Sequence, residues 1–174
     1  MSNLVLYGNR ESGHSYKVKL ALTLLGLEHE YRAVDLGTPR EGRPEDFRAA
    51  SRFGEVPALV VVDGPALVQS NAILAHLAST TGRLRGTGNP GQVTEWLFWE
   101  ANRVGFSVPN LRVARRFATD TPAEVITWLE RRARADLDRL DRELADGRRF
   151  LTGAESRSRT CRAAGTCSGR IRPG

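Results

Sequence analysis

The sequence predicts two parts: an α/β domain with the element order β-α-β-α-β-β-α over residues 1–82, and an all-α domain over residues 92–153. Three observations support this fold class. Short apolar runs alternate with helix-periodic segments in the first part. A segment rich in glycine, proline and polar residues, 83–91, follows and is typical of a linker. Beyond it the chain shows helical periodicity only, which indicates a separate helical domain.

The first strand–helix–strand unit begins with the apolar run Asn3–Tyr7. After a short loop, several small polar residues suit a helix start: Ser12, Gly13, His14 and Ser15. The helix then carries its apolar side chains on one face, at Val18, Ala21, Leu22 and Leu25. Gly26 is placed to end that helix. A second strand is predicted over Glu30–Val34, where apolar and polar residues alternate.

The second half of this domain is predicted as a short helix, a hairpin and a capped helix. The short helix covers 45–50, and the strands cover 58–62 and 66–68 with a turn between them. Pro57 stands at the strand entrance, where a missing N–H costs no ladder bond. Its peptide bond can be cis at a cost of roughly 0.5–1 kcal/mol. The whole order matches a thioredoxin-like fold, with helices on both faces of a four-stranded mixed sheet.

The helix after the hairpin begins at Ser70 or Asn71 and ends near residue 82. A helix start presents free N–H groups and a partial positive charge. These residues therefore predict a site for a carboxylate.

The all-α part is predicted to contain two long amphipathic helices. The first covers Gln92–Phe117 as one segment. The second follows Thr121–Glu124, a capping box with Pro122 at the first helical position. Its apolar face comprises Ile126, Leu129, Ala133, Leu137, Leu140 and Leu144. Gly147 is placed to stop it.

The composition argues against several classes of partner. Residues 154–174 hold five arginines and one acid, so they supply most of the net charge of +6. The remaining residues are nearly balanced and lack the clustered basic side chains of a nucleic-acid site. The two cysteines, Cys161 and Cys167, fit no zinc pattern, so no metal is expected. No apolar run is long enough for a membrane span, and no signal peptide is evident, so we expect no membrane partner and a cytoplasmic location.

Three segments carry a family resemblance in their order and spacing: residues 6–27, 53–59 (FGEVPAL) and 69–74 (QSNAIL). The chain resembles the cytosolic glutathione transferases, of serine-type and bacterial-like character, from Leu4 to about Glu155. The resemblance implies glutathione as a co-substrate, a small electrophile as the second substrate, and a homodimer. The run SGHSYK, residues 12–17, also resembles the maleylacetoacetate isomerase branch. A glutathione-dependent isomerase or disulfide reductase, and a non-catalytic glutathione-binding or stress-response module, are therefore alternatives.

The resemblance implies a glutathione site at Glu55, Val56, Pro57, Gln69 and Ser70. The backbone of Val56 would pair with the cysteinyl unit, and Ser70 would hold the γ-glutamyl carboxylate with help from Gln69. For Ser70 a plain helix cap is the simpler alternative. The glycine carboxylate needs a cation, and the sequence leaves four candidates open: Arg40, Arg43, Arg48 and Arg52.

Ser12 is expected to activate the glutathione thiol, with Ser15 as the alternative. A hydroxyl that donates to sulfur, together with a helix N-terminus, favours the thiolate. Tyr7 belongs to the first strand and is expected to pack, and His14 is expected to be a surface residue of the first turn. Trp96, Trp99 and Arg103 lie on one predicted helix face and are candidates for the electrophile site, with core or dimer interface as the alternative.

The segment 154–174 departs from the family pattern, since it holds one large aliphatic residue where further core helices are expected. We predict that this aberrant tail is disordered and that the helical domain is incomplete, with exposed apolar faces and doubtful activity. One hypothesis is a frameshift. The shifted reading frame permits Ser-Ile-Ala-Asp-Leu from residue 156 and an apolar helix from residue 165. Sequencing of the gene would test it.

Overall fold

The computed structural model describes residues 3–61, 64–86 and 89–152. The predicted tail at 154–174 and its frameshift hypothesis, part of the hairpin turn and part of the linker lie outside these residues. The α/β part contains β1 (Leu4–Gly8), α1 (Gly13–Leu25), β2 (Glu30–Ala33), α2 (Glu45–Ala50), β3 (Ala58–Val61), β4 (Ala66–Val68) and α3 (Ser70–Thr81). The helical part contains α4 (Pro90–Asn102), α5 (Val104–Arg116) and α6 (Ala123–Glu143). A 3-10 turn, Arg40–Gly42, precedes α2.

The four strands form one mixed sheet in the order β2-β1-β3-β4. β1 pairs in parallel with β2 and antiparallel with β3, and β3 pairs antiparallel with β4. Leu6 lies opposite Tyr31 on one side and Leu59 on the other. The predicted thioredoxin-like sheet is confirmed, although β2 ends at Ala33, one residue before the predicted end.

Side chains alternate across this sheet and build a core on each face. On one face α1 and α3 cover the strands, and the buried residues are Leu6, Val18, Ala21, Leu22, Leu25, Leu59, Ile73 and Leu77. On the other face α2 covers them, and the buried residues are Val5, Tyr7, Val34, Phe47, Ala58 and Val68. The ring of Phe47 is fully buried, which contributes about 1.5–3 kcal/mol relative to an exposed ring. Gly26 ends α1 at φ 69°, as predicted.

The predicted single helix over 92–117 is wrong, because the chain breaks at Arg103 between α4 and α5. Arg103 adopts φ −111° and ψ −96°, which lie outside the helical region. The turn brings Gly105 so close to α4 that a Cβ there would lie 2.9 Å from the carbonyl oxygen of Glu100. Pro109, inside α5, also lacks the N–H that would bond to the carbonyl of Gly105. Helical periodicity continues through such a break, so the sequence pattern does not show it.

The start and end of α6 also differ from the prediction. Pro122 is the residue before the helix, and no side chain caps this end. The hydroxyl of Thr121 donates instead to the carbonyl of Ala118, so the predicted capping box does not form. The helix ends at Glu143, before Gly147, which has φ 81° in the following turn.

The helical part buries fewer apolar side chains than the sheet does. Among the described residues beyond 89, the buried apolar side chains are Ala114, Leu129 and Ala133. Phe98 is 73% exposed, and Leu137, on the predicted apolar face of α6, is 44% exposed. These helices therefore present apolar surface to solvent, as expected from the sequence.

Candidate functional site

A cleft of about 530 Å³ lies between the sheet and the helical part. This size is within the range of small-molecule sites. The α/β part supplies Ser12, His14, Leu36, Arg43, Gly54, Glu55, Val56, Pro57, Gln69, Ser70 and Asn71. The helical part supplies Glu100, Ala101, Gly105, Phe106 and Asn110. The cleft thus brings together all the residues predicted to hold glutathione, with residues of α4 and α5 opposite them.

Ser12 lies at the N-terminus of α1 and borders the cleft. Its Oγ accepts a hydrogen bond from the backbone N–H of Ser15 at 3.2 Å. A hydroxyl that accepts in this way keeps its own hydrogen for donation. The side chain of Ser15, by contrast, is 1% exposed and accepts from the backbone N–H of Asn9. Ser15 is not one of the residues that border the cleft, so of the two candidate serines the cleft includes Ser12.

The segment before β3 borders the cleft at Val56, and the peptide bond between Val56 and Pro57 is cis. A fully buried serine, Ser51, holds this segment from behind. Its hydroxyl donates to the carbonyl of Glu55 at 2.8 Å and accepts from the N–H of Glu55 at 3.0 Å. Ser51 was not among the residues predicted from the sequence. The sequence feature that could have indicated its role is a small polar residue directly after α2, four residues before Glu55 of the predicted site.

The N-terminus of α3 opens into the same cleft. Ser70 is the first helical residue, and the preceding residue, Gln69, caps nothing with its side chain. Ser70 is therefore not the plain cap that was its simpler alternative. Gln69 adopts φ 70° and ψ 112°, an unusual conformation for a residue with a side chain, and its amide donates to Glu55 Oε2 at 2.9 Å. The helix start thus offers N–H groups and a partial positive charge to a ligand.

One of the four candidate arginines borders the cleft, namely Arg43. Its guanidinium donates to three backbone carbonyls, those of Leu36, Thr38 and Gly54. Arg40 donates to the carbonyl of Arg52. The structure therefore places Arg43 at the site while using its donors to shape the surrounding loop.

The predicted electrophile-site residues do not border the cleft. The rings of Trp96 and Trp99 contact each other at a centroid distance of 5.3 Å. Arg103 turns toward α6, where its Nε lies 2.7 Å from Oδ1 of the fully buried Asp136. The break between α4 and α5 is the physical reason for Arg103, because it takes this residue off the helix that carries Trp96 and Trp99. Phe106 of α5 lies in the cleft instead and is 41% exposed.

His14 was expected on the surface, but it lines the cleft and joins the two parts of the chain. Its Nε2 lies 3.0 Å from the carbonyl oxygen of Gly105 and its Nδ1 lies 3.4 Å from Oγ of Ser70. The carbonyl of Gly105 is available because Pro109 has no N–H to donate to it. A proline four residues after a glycine was the only signal in the sequence.

A second polar cluster joins the two parts beside the cleft. Lys17 Nζ lies 2.8 Å from Glu100 Oε2 and 2.7 Å from Asn71 Oδ1. The amide of Asn71 donates both to Glu100 and to the carbonyl of Leu97. Asn71, which the sequence placed only at a helix start, therefore contacts α4 and closes one end of the cleft.

Tyr7 packs in the sheet, as expected, and takes part in a polar cluster at the far face. Its hydroxyl donates to Asp46 Oδ2 at 2.9 Å and accepts from Arg32 at 3.1 Å. Burial and the hydrogen bond to Asp46 raise the pKa of the Tyr7 hydroxyl. The hydrogen bond from Tyr7, with help from Phe47 N–H and Arg32, lowers the pKa of Asp46. Tyr7 is 5% exposed and does not border the cleft.

The described residues show neither of two other kinds of feature, a metal centre or a membrane-spanning helix. No group of three or more His, Cys, Asp or Glu side chains within those residues is arranged to hold a metal ion. Within the same residues, no helix combines the length and hydropathy that crossing a bilayer requires.

Comparison with known proteins extends these findings. The model of the glutathione S-transferase N-terminal domain matches residues 11–80. The glutathione S-transferase-like protein LUC7 of a Fusarium species is 31% identical over 163 residues, covering 86% of this chain and 69% of that protein. A maleylacetoacetate isomerase of Pseudomonas aeruginosa is 39% identical over 75 residues, covering 41% of this chain and 34% of that protein. The crystal structure of a glutathione S-transferase from Pseudomonas fluorescens superposes with a TM-score of 0.77 at 32% identity, covering 89% of this chain and 78% of that one.

The sheet and the helices behind it define a thioredoxin-like domain joined to a helical region, and the similarity extends across both. The chain belongs to the glutathione S-transferase family. The match covers a smaller share of other curated relatives: 31% of the length of one and 47% of the length of another. The division into domains at residues 82 and 92 stays a prediction.

Proposed function

We propose that the chain binds glutathione in the cleft and transfers its thiolate to a small electrophile. The observation that carries this proposal is that one cleft is lined by Ser12, Val56 and Ser70 at the start of α3. These three features offer a hydroxyl for sulfur, a backbone edge for a peptide and a positive helix end for a carboxylate. Glutathione carries the three complementary groups.

The glutathione backbone is held, in this proposal, at two points. Val56 borders the cleft and pairs its N–H and C=O with the cysteinyl unit. Ser70 receives the γ-glutamyl carboxylate with its hydroxyl and N–H, and the neighbouring pair Gln69–Glu55 lines the same end. Arg43 is assigned to the glycine carboxylate, since of the four candidate arginines it is the one that borders the cleft.

The chemical step needs a thiolate. A free thiol has a pKa of about 8.5 and is mostly protonated at neutral pH. A hydrogen bond from the Ser12 hydroxyl to sulfur, beside the N-terminus of α1, stabilises the anion, and each pKa unit contributes about 1.4 kcal/mol. The thiol proton goes to solvent. The sulfur then donates its electron pair to an electrophilic carbon, and the leaving group departs with the electrons of the bond that breaks.

The electrophile approaches, in this proposal, from the helical side of the cleft. Phe106 offers a half-exposed aromatic ring there, beside Ala101 and Asn110. This wall favours an apolar or aromatic substrate with one polar group. It replaces the wall of Trp96, Trp99 and Arg103 that the sequence predicted.

The test combines retention on glutathione-agarose with turnover of a chlorinated aromatic electrophile. We expect wild-type protein to be retained and active. We expect Ser12→Ala to be retained but to lose about 10- to 100-fold in kcat/KM at pH 7, because one donor to the sulfur is removed. Ser79→Ala, a substitution on α3 away from the cleft lining, is the matched control. Failure of the wild-type protein to bind glutathione would refute the proposal.

A second candidate function is a glutathione-dependent isomerase. The matched maleylacetoacetate isomerase and the SGHSYK segment, 12–17, favour it. Isomerisation of a cis-enone by added glutathione, without consumption of glutathione, would distinguish it from conjugation. Disulfide reductase activity would instead consume glutathione as a reductant. Retention without turnover, unchanged in Ser12→Ala, would indicate a binding module.

A homodimer and a cytoplasmic location are proposed on the family's pattern alone. Light scattering after size exclusion measures the first, and a monomer at all concentrations would contradict it. Fractionation of cells that express the full chain measures the second.

A further inference from the structure

His14 stands between the proposed carboxylate site and the helical part. Its Nδ1 lies 3.4 Å from Oγ of Ser70, and its Nε2 lies 3.0 Å from the carbonyl oxygen of Gly105. The side chain is half-buried and borders the cleft. Each ring nitrogen therefore has a polar neighbour, and the chemistry of those neighbours restricts where the imidazole can carry a proton.

The carbonyl of Gly105 fixes the tautomer. A carbonyl oxygen only accepts hydrogen bonds, so the nitrogen facing it, Nε2, carries the hydrogen. Pro109 cannot donate to this carbonyl, so no helical N–H competes at that position. In the neutral imidazole the other nitrogen, Nδ1, is then an acceptor. With the ring neutral, the hydroxyl of Ser70 is then the donor in its contact with Nδ1 of His14.

Ligand binding makes a second demand on the same hydrogen. In the proposed complex the hydroxyl of Ser70 donates to the γ-glutamyl carboxylate. A hydroxyl has one hydrogen and cannot donate to both acceptors. The lone pair of Nδ1 would then face an oxygen without a proton between them, which is unfavourable in a cleft.

We propose that His14 takes up one proton from solvent at Nδ1 when a carboxylate ligand binds at Ser70. The imidazolium then donates from Nδ1 to Ser70 Oγ, and Ser70 donates to the carboxylate. The Nε2–H bond to Gly105 persists through both states. The positive ring also balances part of the carboxylate charge. His14 acts as a positioning residue for the binding step, and this inference rests on the proposed glutathione site.

Each charged side chain around the cleft is hydrogen-bonded or ion-paired with a group other than the imidazole of His14. They are Lys17 on α1 with Glu100 on α4, Glu11 before α1 with Arg112 on α5, Glu55 before β3 with Gln69, and Arg43 before α2 with backbone carbonyls. The pair Lys17–Glu100 is neutral as a unit. The paired groups therefore add little net charge near His14. A ligand carboxylate adds a full negative charge there.

The experiment is calorimetry of S-methylglutathione binding to the full chain. The methyl group removes the thiol, so thiol ionisation adds no proton to the measurement. Titrations in phosphate and in Tris at one pH differ by the proton uptake multiplied by the difference in buffer ionisation enthalpy. We expect net proton uptake when S-methylglutathione binds. The Kd should rise with pH, by up to about tenfold per pH unit.

Two variants separate the role of His14 from folding. We expect His14→Asn to bind S-methylglutathione without proton uptake and with a Kd that changes little between pH 6 and 8. His29→Asn, in the loop before β2, is the matched control and should keep the wild-type uptake. Proton uptake that persists in His14→Asn would overturn the inference.

The wild-type protein gives an independent measurement. It has three histidines, so the imidazole ¹⁵N signals can be assigned individually. We expect the His14 signals to show the Nε2–H tautomer in the free protein and two protonated nitrogens in the complex. Binding with no change in these signals would refute the inference and leave the glutathione site intact. Absence of any S-methylglutathione binding would instead refute the proposed function itself.

Discussion

The imidazole of His14 on α1 hydrogen-bonds the backbone carbonyl of Gly105 on α5, at 3.0 Å, across 91 residues of sequence. The contact depends on a proline, because Pro109 leaves that carbonyl without its helical donor. The start of the first helix, which carries Ser12, is thereby tied to the wall of the cleft that carries Phe106. The hydrogen bond that is missing within α5 thus leaves a carbonyl oxygen that accepts from a side chain of α1.

The first prediction concerns this proline. Pro109→Ala restores an N–H that can bond to Gly105 and removes an interior proline, whose cost in a helix is about 3 kcal/mol at most positions. We expect the free energy of unfolding to rise by about 1 kcal/mol or more, measured in urea. We also expect weaker binding of glutathione, because the restored N–H competes with His14.

Pro90→Ala is the control for this substitution. Pro90 is the first residue of α4, where a missing N–H has no helical acceptor. We expect its stability to change by less than about 0.5 kcal/mol. A stabilised Pro109→Ala protein that binds glutathione as tightly as wild type would contradict the role assigned to the Gly105 carbonyl.

The sequence was sufficient where the determinants are local. The strands around Leu6 and Leu59 follow from short apolar runs, and Gly26 follows from the need for a positive φ at the end of α1. The positions of Pro57 and Ser70 follow from a strand entrance and a helix start. Each of these features depends on neighbours within a few residues.

The sequence was insufficient where the partner is distant. His14 has a role only because Gly105 lies opposite it, and Ser51 only because the loop folds back onto its hydroxyl. Arg103 was assigned to the cleft because periodicity cannot show a break between two helices. Its partner Asp136 lies 33 residues away on α6. Pairing of this kind is set by tertiary packing.

The second prediction concerns Gln69, which adopts φ 70° and ψ 112° at the start of α3. Side chains in such regions cost of order 1–3 kcal/mol, and glycine largely avoids that cost. Gln69→Gly and Gln69→Ala both lose the bond to Glu55. We expect the glycine variant to be more stable than the alanine variant by about 1 kcal/mol in urea unfolding, with both binding glutathione more weakly than wild type. The reverse order of stability would contradict the strained geometry.

The third prediction concerns the buried carboxylate of Asp136. Its Oδ2 accepts from the hydroxyl of Ser107 at 2.7 Å, and its Oδ1 accepts from Arg103. Ser107→Ala leaves a buried, charged oxygen without this donor, which costs about 1–3 kcal/mol. We expect the midpoint temperature of thermal unfolding to fall by a corresponding amount. Arg139→Ala, which breaks an exposed pair with Glu143, is the control and should cost about 0.5 kcal/mol or less. Equal effects of the two substitutions would show that Asp136 is not isolated from water.

The fourth prediction concerns acid stability and the pair Tyr7–Asp46. The hydrogen bond from Tyr7 lowers the pKa of Asp46 below its ordinary 3.8 in the folded state. A carboxyl with a lowered folded pKa contributes stability that is present above its unfolded pKa and is lost as the pH falls through the folded value. Tyr7→Phe removes the donor. We therefore expect wild type to exceed Tyr7→Phe in free energy of unfolding by a constant amount above about pH 5.

The difference between the two proteins should then shrink as the pH falls below 3.8, because the protonated Asp46 no longer favours the folded state. Urea unfolding at a series of pH values between 2 and 7 measures it. Tyr31→Phe is the matched control, since burial raises the pKa of that hydroxyl and no carboxylate accounts for its shift. The difference in free energy of unfolding between Tyr31→Phe and wild type should not change with pH over the same acid range. A Tyr7→Phe difference that is equally flat would mean that Asp46 gains nothing from the Tyr7 hydroxyl, and its lowered pKa would then have to come from the Phe47 N–H and Arg32.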